Sequence, residues 1–172
     1  MPKLLKTFFY IVGCSLVFIF IVGTYQNVSP SYSQPKTAVA FEWEKQVSVY
    51  FWNDNLASDK NDCSLVFPVS RTVLNAETLG PGALETLLKG VTNEEKALGY
   101  GTAFPGGVLV QKFEIKNKVA YIDFSSELSR GVAGACRVIA LRSQIETTLN
   151  NLPDIDSVVI SVDDEIEEIL QP

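Results

Sequence analysis

Apolar and polar positions are arranged differently in three parts of the chain, and each arrangement predicts its own kind of element. Phe8–Tyr25 (FFYIVGCSLVFIFIVGTY) is an unbroken apolar run without a charge. As a helix it would rise about 27 Å, close to the roughly 30 Å hydrocarbon core of a bilayer. Phe8, Phe9 and Tyr10 at one end and Tyr25 at the other suit membrane interfaces. Gln26–Thr37 is polar and rich in Ser and Pro, the composition of an extended tether. From Phe41 onward the pattern is that of a folded domain.

Within that domain, Val47–Trp52 (VSVYFW) alternates and is β-branched and aromatic, which predicts a strand. Asn53–Asp62 is a polar loop. Cys63–Val73 predicts a second strand, placed at a sheet edge because Pro68 cannot donate to a ladder. After the connection Ala76–Gly82, Leu84, Leu87, Leu88 and Val91 recur at helical spacing, with Pro81 as the start signal and Gly90 as the stop. Thr92–Leu98 predicts a short helical turn capped by Thr92 or Asn93. Gly99–Gly107 reads as a turn. Val108–Ile115 and Val119–Phe124 flank Lys116-Asn117-Lys118 as a hairpin.

Val119–Leu149 organises the rest: a strand, a Ser- and Gly-rich connection, then a long amphipathic helix over Gly134–Asn150. Val138, Leu141, Ile145 and Leu149 form its apolar stripe, with Arg137, Arg142, Gln144 and Glu146 off it. Pro153 follows its end. Ser157–Val162 is a continuous β-branched run, expected to be a strand buried on both faces, and an acidic turn with Ile169 and Leu170 closes the chain. The order β, β, α, β, β, α, β predicts an α/β two-layer sandwich, a mixed β-sheet with two main helices packed on one face, preceded by a single transmembrane helix. The expected divisions are 1–25 as cytoplasmic stub and anchor, 26–40 as tether, and 41–172 as an extracytoplasmic domain.

Charge sharpens this picture. The chain carries 14 basic and 20 acidic residues, a net of −6. Setting aside Lys3 and Lys6, ahead of the apolar run, leaves twelve basic against 20 acidic, about −8 for the remainder. An acidic domain without a basic cluster argues against nucleic acid, whose phosphates call for concentrated Lys and Arg. Lys3 and Lys6 place the N-terminus in the cytoplasm by the positive-inside rule, making the protein a single-pass membrane protein with its domain outside. Two alternatives stand beside the uncleaved anchor. A cleaved signal would use Ala38-Val39-Ala40, which lies far beyond the apolar run. A lipoprotein would use Ile11-Val12-Gly13-Cys14, leaving an apolar segment where a polar tether normally belongs.

Candidate chemistry is sparse. Histidine is absent, which removes the commonest general base, nucleophile activator and metal ligand. We expect no catalytic residues, no metal and no cofactor. Asp123-Phe124-Ser125-Ser126 sets an acid beside hydroxyls, but no base is available and satisfying the following turn is the simpler role. Asp163, Asp164, Glu165, Glu167 and Glu168 could serve acid–base work on a sugar, although neighbouring acids are usually a solvated surface. Asn53–Asp62 offers oxygen ligands at the wrong spacing for a calcium loop. Gly99–Gly107 lacks the Lys-Ser/Thr and helix of a phosphate cradle. Cys63 and Cys136, in a domain placed outside the cell, suggest one disulfide, worth up to roughly 4 kcal/mol in the chain-entropy model. Two separate buried thiols are the alternative.

Val49-Tyr50-Phe51, then Pro68-Val69-x-Arg71, Ala83-Leu84-Glu85-x-Leu87-Leu88-Lys89-Gly90, Ala120-x-x-Asp123-Phe124-Ser125 and Thr148-Leu149 together resemble the sporulation and spore-germination domain called GerMN. The resemblance covers about Val47–Val162. It departs at Val91, where the family tends to have proline. It implies a non-catalytic, exported α/β domain, often tethered to a membrane or lipid, and similar to ring-building modules of envelope complexes. It carries over no catalytic residue. The expected function is therefore a membrane-anchored extracytoplasmic domain that mediates protein–protein interaction or self-association in assembling a cell-envelope complex. An envelope enzyme acting on cell-wall glycan through carboxylates, or a small-ligand or cation-binding sensor at Asn53–Asp62, are the alternatives from other classes.

Overall fold

The computed structural model describes residues 44–74, 78–130, 132 and 134–166. The apolar run, the tether, Cys14 and the Ala38-Val39-Ala40 site all lie outside the described residues, as do Glu167, Glu168, Ile169 and Leu170. Among the described residues no helix is long and apolar enough to cross a membrane.

Strand β1 (Glu44–Asn53) turns Val47, Val49 and Phe51 to the core and pairs antiparallel with β2 (Phe67–Leu74). β2 begins at Phe67, four residues later than its apolar pattern suggests, because Cys63 and Ser64 are held in turns of the preceding loop. Pro68 lies on this edge strand opposite Tyr50, where its missing N–H leaves no ladder bond broken. Helix α1 (Leu79–Leu88) places Gly80, Ala83, Leu84 and Leu87 on one buried stripe. It starts two residues before Pro81, which a first turn tolerates because the N–H groups there have no helical partner. Gly80 has no side chain to collide with the Phe113 ring, so the helix lies close against the sheet there.

Helix α2 (Asn93–Ala97) opens on a reciprocal cap, in which Thr92 Oγ1 accepts from the Glu95 N–H and Glu95 Oε2 accepts from the Thr92 N–H. Two-residue strand β3 (Tyr100–Gly101) pairs with Trp52 and Asn53 of β1. It falls inside the glycine-rich stretch, which alone predicts only a turn. β4 (Val110–Lys116) and β5 (Val119–Phe124) form the expected hairpin, turned by Asn117 and Lys118 at positive φ and carrying a bulge between Val110 and Lys112. After the single-turn helix α3 (Glu127–Arg130), the long helix α4 (Ala135–Asn150) crosses back to β6 (Ser157–Val162), which runs parallel to β5.

The strands form two three-stranded sheets, antiparallel β2-β1-β3 and mixed β4-β5-β6, not the single mixed sheet expected from element order. Periodicity identifies strands but does not choose their partners. α1 packs on β1 and β2, whereas α4 contacts α1, β1 and β6 and so joins the two sheets. One continuous apolar core results. β6 is a correction as well: it is an edge strand and half-buried over most of its length, so its β-branched run does not mark burial on both faces.

Candidate functional site

The residues that could carry chemistry fall into two groups, one woven into the fold and one facing a cleft. In the first, Arg71 of β2 reaches Glu95 of α2 with both terminal guanidinium nitrogens, Nη1 and Nη2, at 2.6 and 2.8 Å. It also donates to the Gly90 carbonyl at 3.2 Å and lies over the Phe51 ring. Gly90 follows α1 at φ 75°, a conformation glycine adopts without a Cβ penalty. The Arg71 hydrogen bonds hold the Glu95 carboxyl below its ordinary value, against the opposing effect of its burial.

Asp123, on β5, is buried, and its Oδ1 accepts from Ser161 Oγ at 2.6 Å and from the Asp164 N–H at 2.9 Å. Asp163 and Asp164 form a left-handed two-residue turn, across which Val162 and Glu165 exchange backbone bonds of 3.0 Å. Asp163 in turn accepts from Gln111 Nε2 at 2.9 Å. Ser125 Oγ accepts from the Leu109 N–H at 3.1 Å. The acid-and-hydroxyl motif and the described part of the acidic run therefore meet in one place. Their bonds close the ends of β5 and β6.

Gln144 is a correction. The apolar stripe leaves it out, yet it is fully buried, accepting from the Ala103 N–H and donating to the Gly101 carbonyl. Thr148 is likewise buried, and its hydroxyl accepts from the Tyr50 N–H at 3.0 Å. The spacing held the clue, since positions 144 and 148 flank Leu141, Ile145 and Leu149 on one helical face. Arg71 and Glu95 leave no comparable trace, because they meet only through tertiary structure.

In the second group, Cys63 and Cys136 are joined in a disulfide with Cα atoms 5.3 Å apart, across a sequence separation of 73. The bridge ties the loop after β1 to the first turn of α4. Beside it opens a cleft of about 640 Å³, lined by Trp52, the loop, and the first turns of α4. The Trp52 ring lies directly against Gly101, where a Cβ would collide with it. Asp54, Asp59 and Asp62 also line the cleft. Asp59 accepts from the Asn61 N–H at 2.8 Å, and Asp62 from the Ser64 N–H and hydroxyl at 2.9 and 2.6 Å. The Ser64 bonds hold the Asp62 carboxyl below the usual range, opposite to the shift a general acid needs. Among the described residues, no three acidic or cysteine side chains are grouped to hold a metal ion. Every fully enclosed polar side-chain atom among them has a hydrogen-bond partner.

Two small sheets sharing one helix, cross-linked by buried polar side chains, define an α/β domain whose distinctive residues serve its architecture. Residues 48–168 match the family Germane, sporulation and spore germination, and the chain belongs to it. Among solved structures it is similar to the tandem GerMN domains of the sporulation protein GerM from Bacillus subtilis. The TM-score is 0.55 at 22% identity, covering 71% of this chain and 40% of that one. It thus spans less than half of that tandem-domain chain. The first GerMN domain of the same protein gives a TM-score of 0.49 at 17% identity, with 71% and 85% covered. No curated protein matches the sequence.

Proposed function

We propose that the chain is a membrane-anchored, non-catalytic extracytoplasmic domain that mediates protein–protein interaction in assembling a cell-envelope complex of the spore-germination kind. The observation that carries this is where the polar residues of the family pattern go: Arg71, Asp123, Ser125 and Thr148 all bond to other parts of the fold. The family is not known as catalytic. The Phe8–Tyr25 run and its two preceding lysines supply the anchor and its orientation.

The surface offered to a partner includes the open edge of β2, which pairs only with β1. Beyond Pro68 this edge has no second neighbouring strand, and although the Ser70 carbonyl accepts from Arg71 Nη1 at 3.2 Å, it is the place where a partner strand would extend the sheet. The test is a photo-reactive residue at exposed Ser70, activated in native membranes, with exposed Asp154 as control. A discrete adduct from Ser70, identified as one envelope protein or a second copy of the chain, is the expected result. No adduct from either position would overturn the proposal.

A further inference from the structure

The loop Asp54–Val66 is held unequally along its length. Its first turn is fixed to the body: the Asp54 N–H donates to Gly99 O at 3.1 Å, Asn55 Nδ2 donates to Leu98 O at 3.0 Å, and buried Asn53 caps the turn through its side chain. From Asp59 to Ser64 the bonds that Asp59 and Asp62 accept close within the loop itself. Apart from the chain's own continuation into β2 at Phe67, the covalent tie of this distal half to the body is the Cys63–Cys136 bridge. That bridge is open to approach. Both cysteines line the cleft, with Cys136 exposed and Cys63 half-buried. Cys136 is the second residue of the sixteen-residue α4, whose first turn no side chain caps.

We propose that the Cys63–Cys136 bridge is a thiol–disulfide exchange site, reduced by the dithiol of an oxidoreductase that enters the cleft, and that its reduction releases the distal half of the loop. The donor's thiolate attacks Cys63 Sγ, forming a mixed disulfide while the Cys63–Cys136 bond breaks. Cys136 leaves as a thiolate, stabilised by the positive N-terminal end of α4, which no side chain caps. The donor's second thiol loses its proton and attacks the donor sulfur of the mixed disulfide, expelling Cys63, which takes up a proton. Two electrons pass from the donor: the chain gains two thiols and the donor one disulfide. This rests on the proposed function only for the compartment in which the donor meets the domain.

The experiment uses the oxidised full chain purified in detergent, with dithiothreitol and separately a dithiol oxidoreductase whose second cysteine is replaced by serine. Rapid alkylation with mass analysis reads the thiols, and hydrogen exchange reads the loop. The bridge should be reduced while the core remains folded. Exchange over 58–66 should rise about tenfold or more, with 138–149 unchanged. The serine-substituted donor should be trapped on Cys63. Reduction only at the rate of global unfolding, unchanged exchange over 58–66, or a donor trapped on Cys136 would each overturn the proposal. Its failure is distinct from failure of the proposed function. A purified chain that exchanges as described, from cells in which Cys63 and Cys136 react only with a membrane-permeant alkylating reagent, would refute the extracytoplasmic placement and leave the exchange site standing.

Discussion

In α4 and the sheet β4-β5-β6 the polar side chains reach far along the sequence: Thr148 meets Tyr50 across 98 residues, Gln144 meets Gly101 across 43, and Asp123 meets Ser161 across 38. In the distal half of the Asp54–Val66 loop, the bonds to Asp59 and Asp62 span two residues each. Both regions are rich in acids, amides and hydroxyls, so composition does not separate them. Their connectivity does. A bond closed within two residues survives movement of the whole loop, whereas a long-range bond breaks when the elements part. The first region is therefore part of the cooperative core, and the second is a connecting loop cross-linked to the body by one disulfide.

The contrast can be broken most severely at Leu141, which is fully buried in α4 where both sheets meet the helix. Leu141→Ala should cost about 2–5 kcal/mol in denaturant unfolding, and a loss under 1 kcal/mol would show that the sheets are not joined through α4. A smaller effect is expected at the polar link between β2 and α2. Arg71→Ala should cost about 2 kcal/mol, since it strips a half-buried carboxylate of its bidentate partner. The sign with pH follows from Glu95, whose folded pKa lies below its ordinary value near 4.5. Its contribution is present above that value and is lost as pH falls through the lower folded value. The variant should therefore lose less stability than the parent on acidification through this range. Equal slopes would remove Arg71 as the cause. Asp59→Ala, in the loop, should change unfolding by less than about 0.5 kcal/mol. A larger loss would erase the distinction between the regions.

Much of the fold was legible because burial imposes a period. Val47, Val49 and Phe51 declared β1, the stripe from Leu84 to Leu87 declared α1, and Val138 to Leu149 declared α4. One strand, β3, escapes the pattern, and one, β6, lies over its expected residues but at an edge. β3 is too short to show alternation, and β6 is β-branched without being central. The division into two sheets was not legible, since it depends on which edges meet. At the candidate site, the place of Asp123 and Ser125 at a strand end suggests bonds to the following turn, but their partners lie far off in the chain, Ser161 and Asp164 for Asp123 and Leu109 for Ser125. Gln144 was misplaced because a polar side chain on a helical stripe looks solvent-facing until its distant partners, here Gly101 and Ala103, are known. Cys63 and Cys136 stood out as a pair only on the premise that the domain lies outside the cell.

That premise is where the account is most directly tested. Peptide mass analysis without reductant, on membrane fractions alkylated before lysis, reads the state of Cys63 and Cys136 in the full-length chain. The account predicts a linked Cys63–Cys136 peptide in protein that remains membrane-bound. Both cysteines alkylated before any reductant is added, and only by a reagent that crosses the membrane, would contradict it by placing the domain on the reducing side of the membrane.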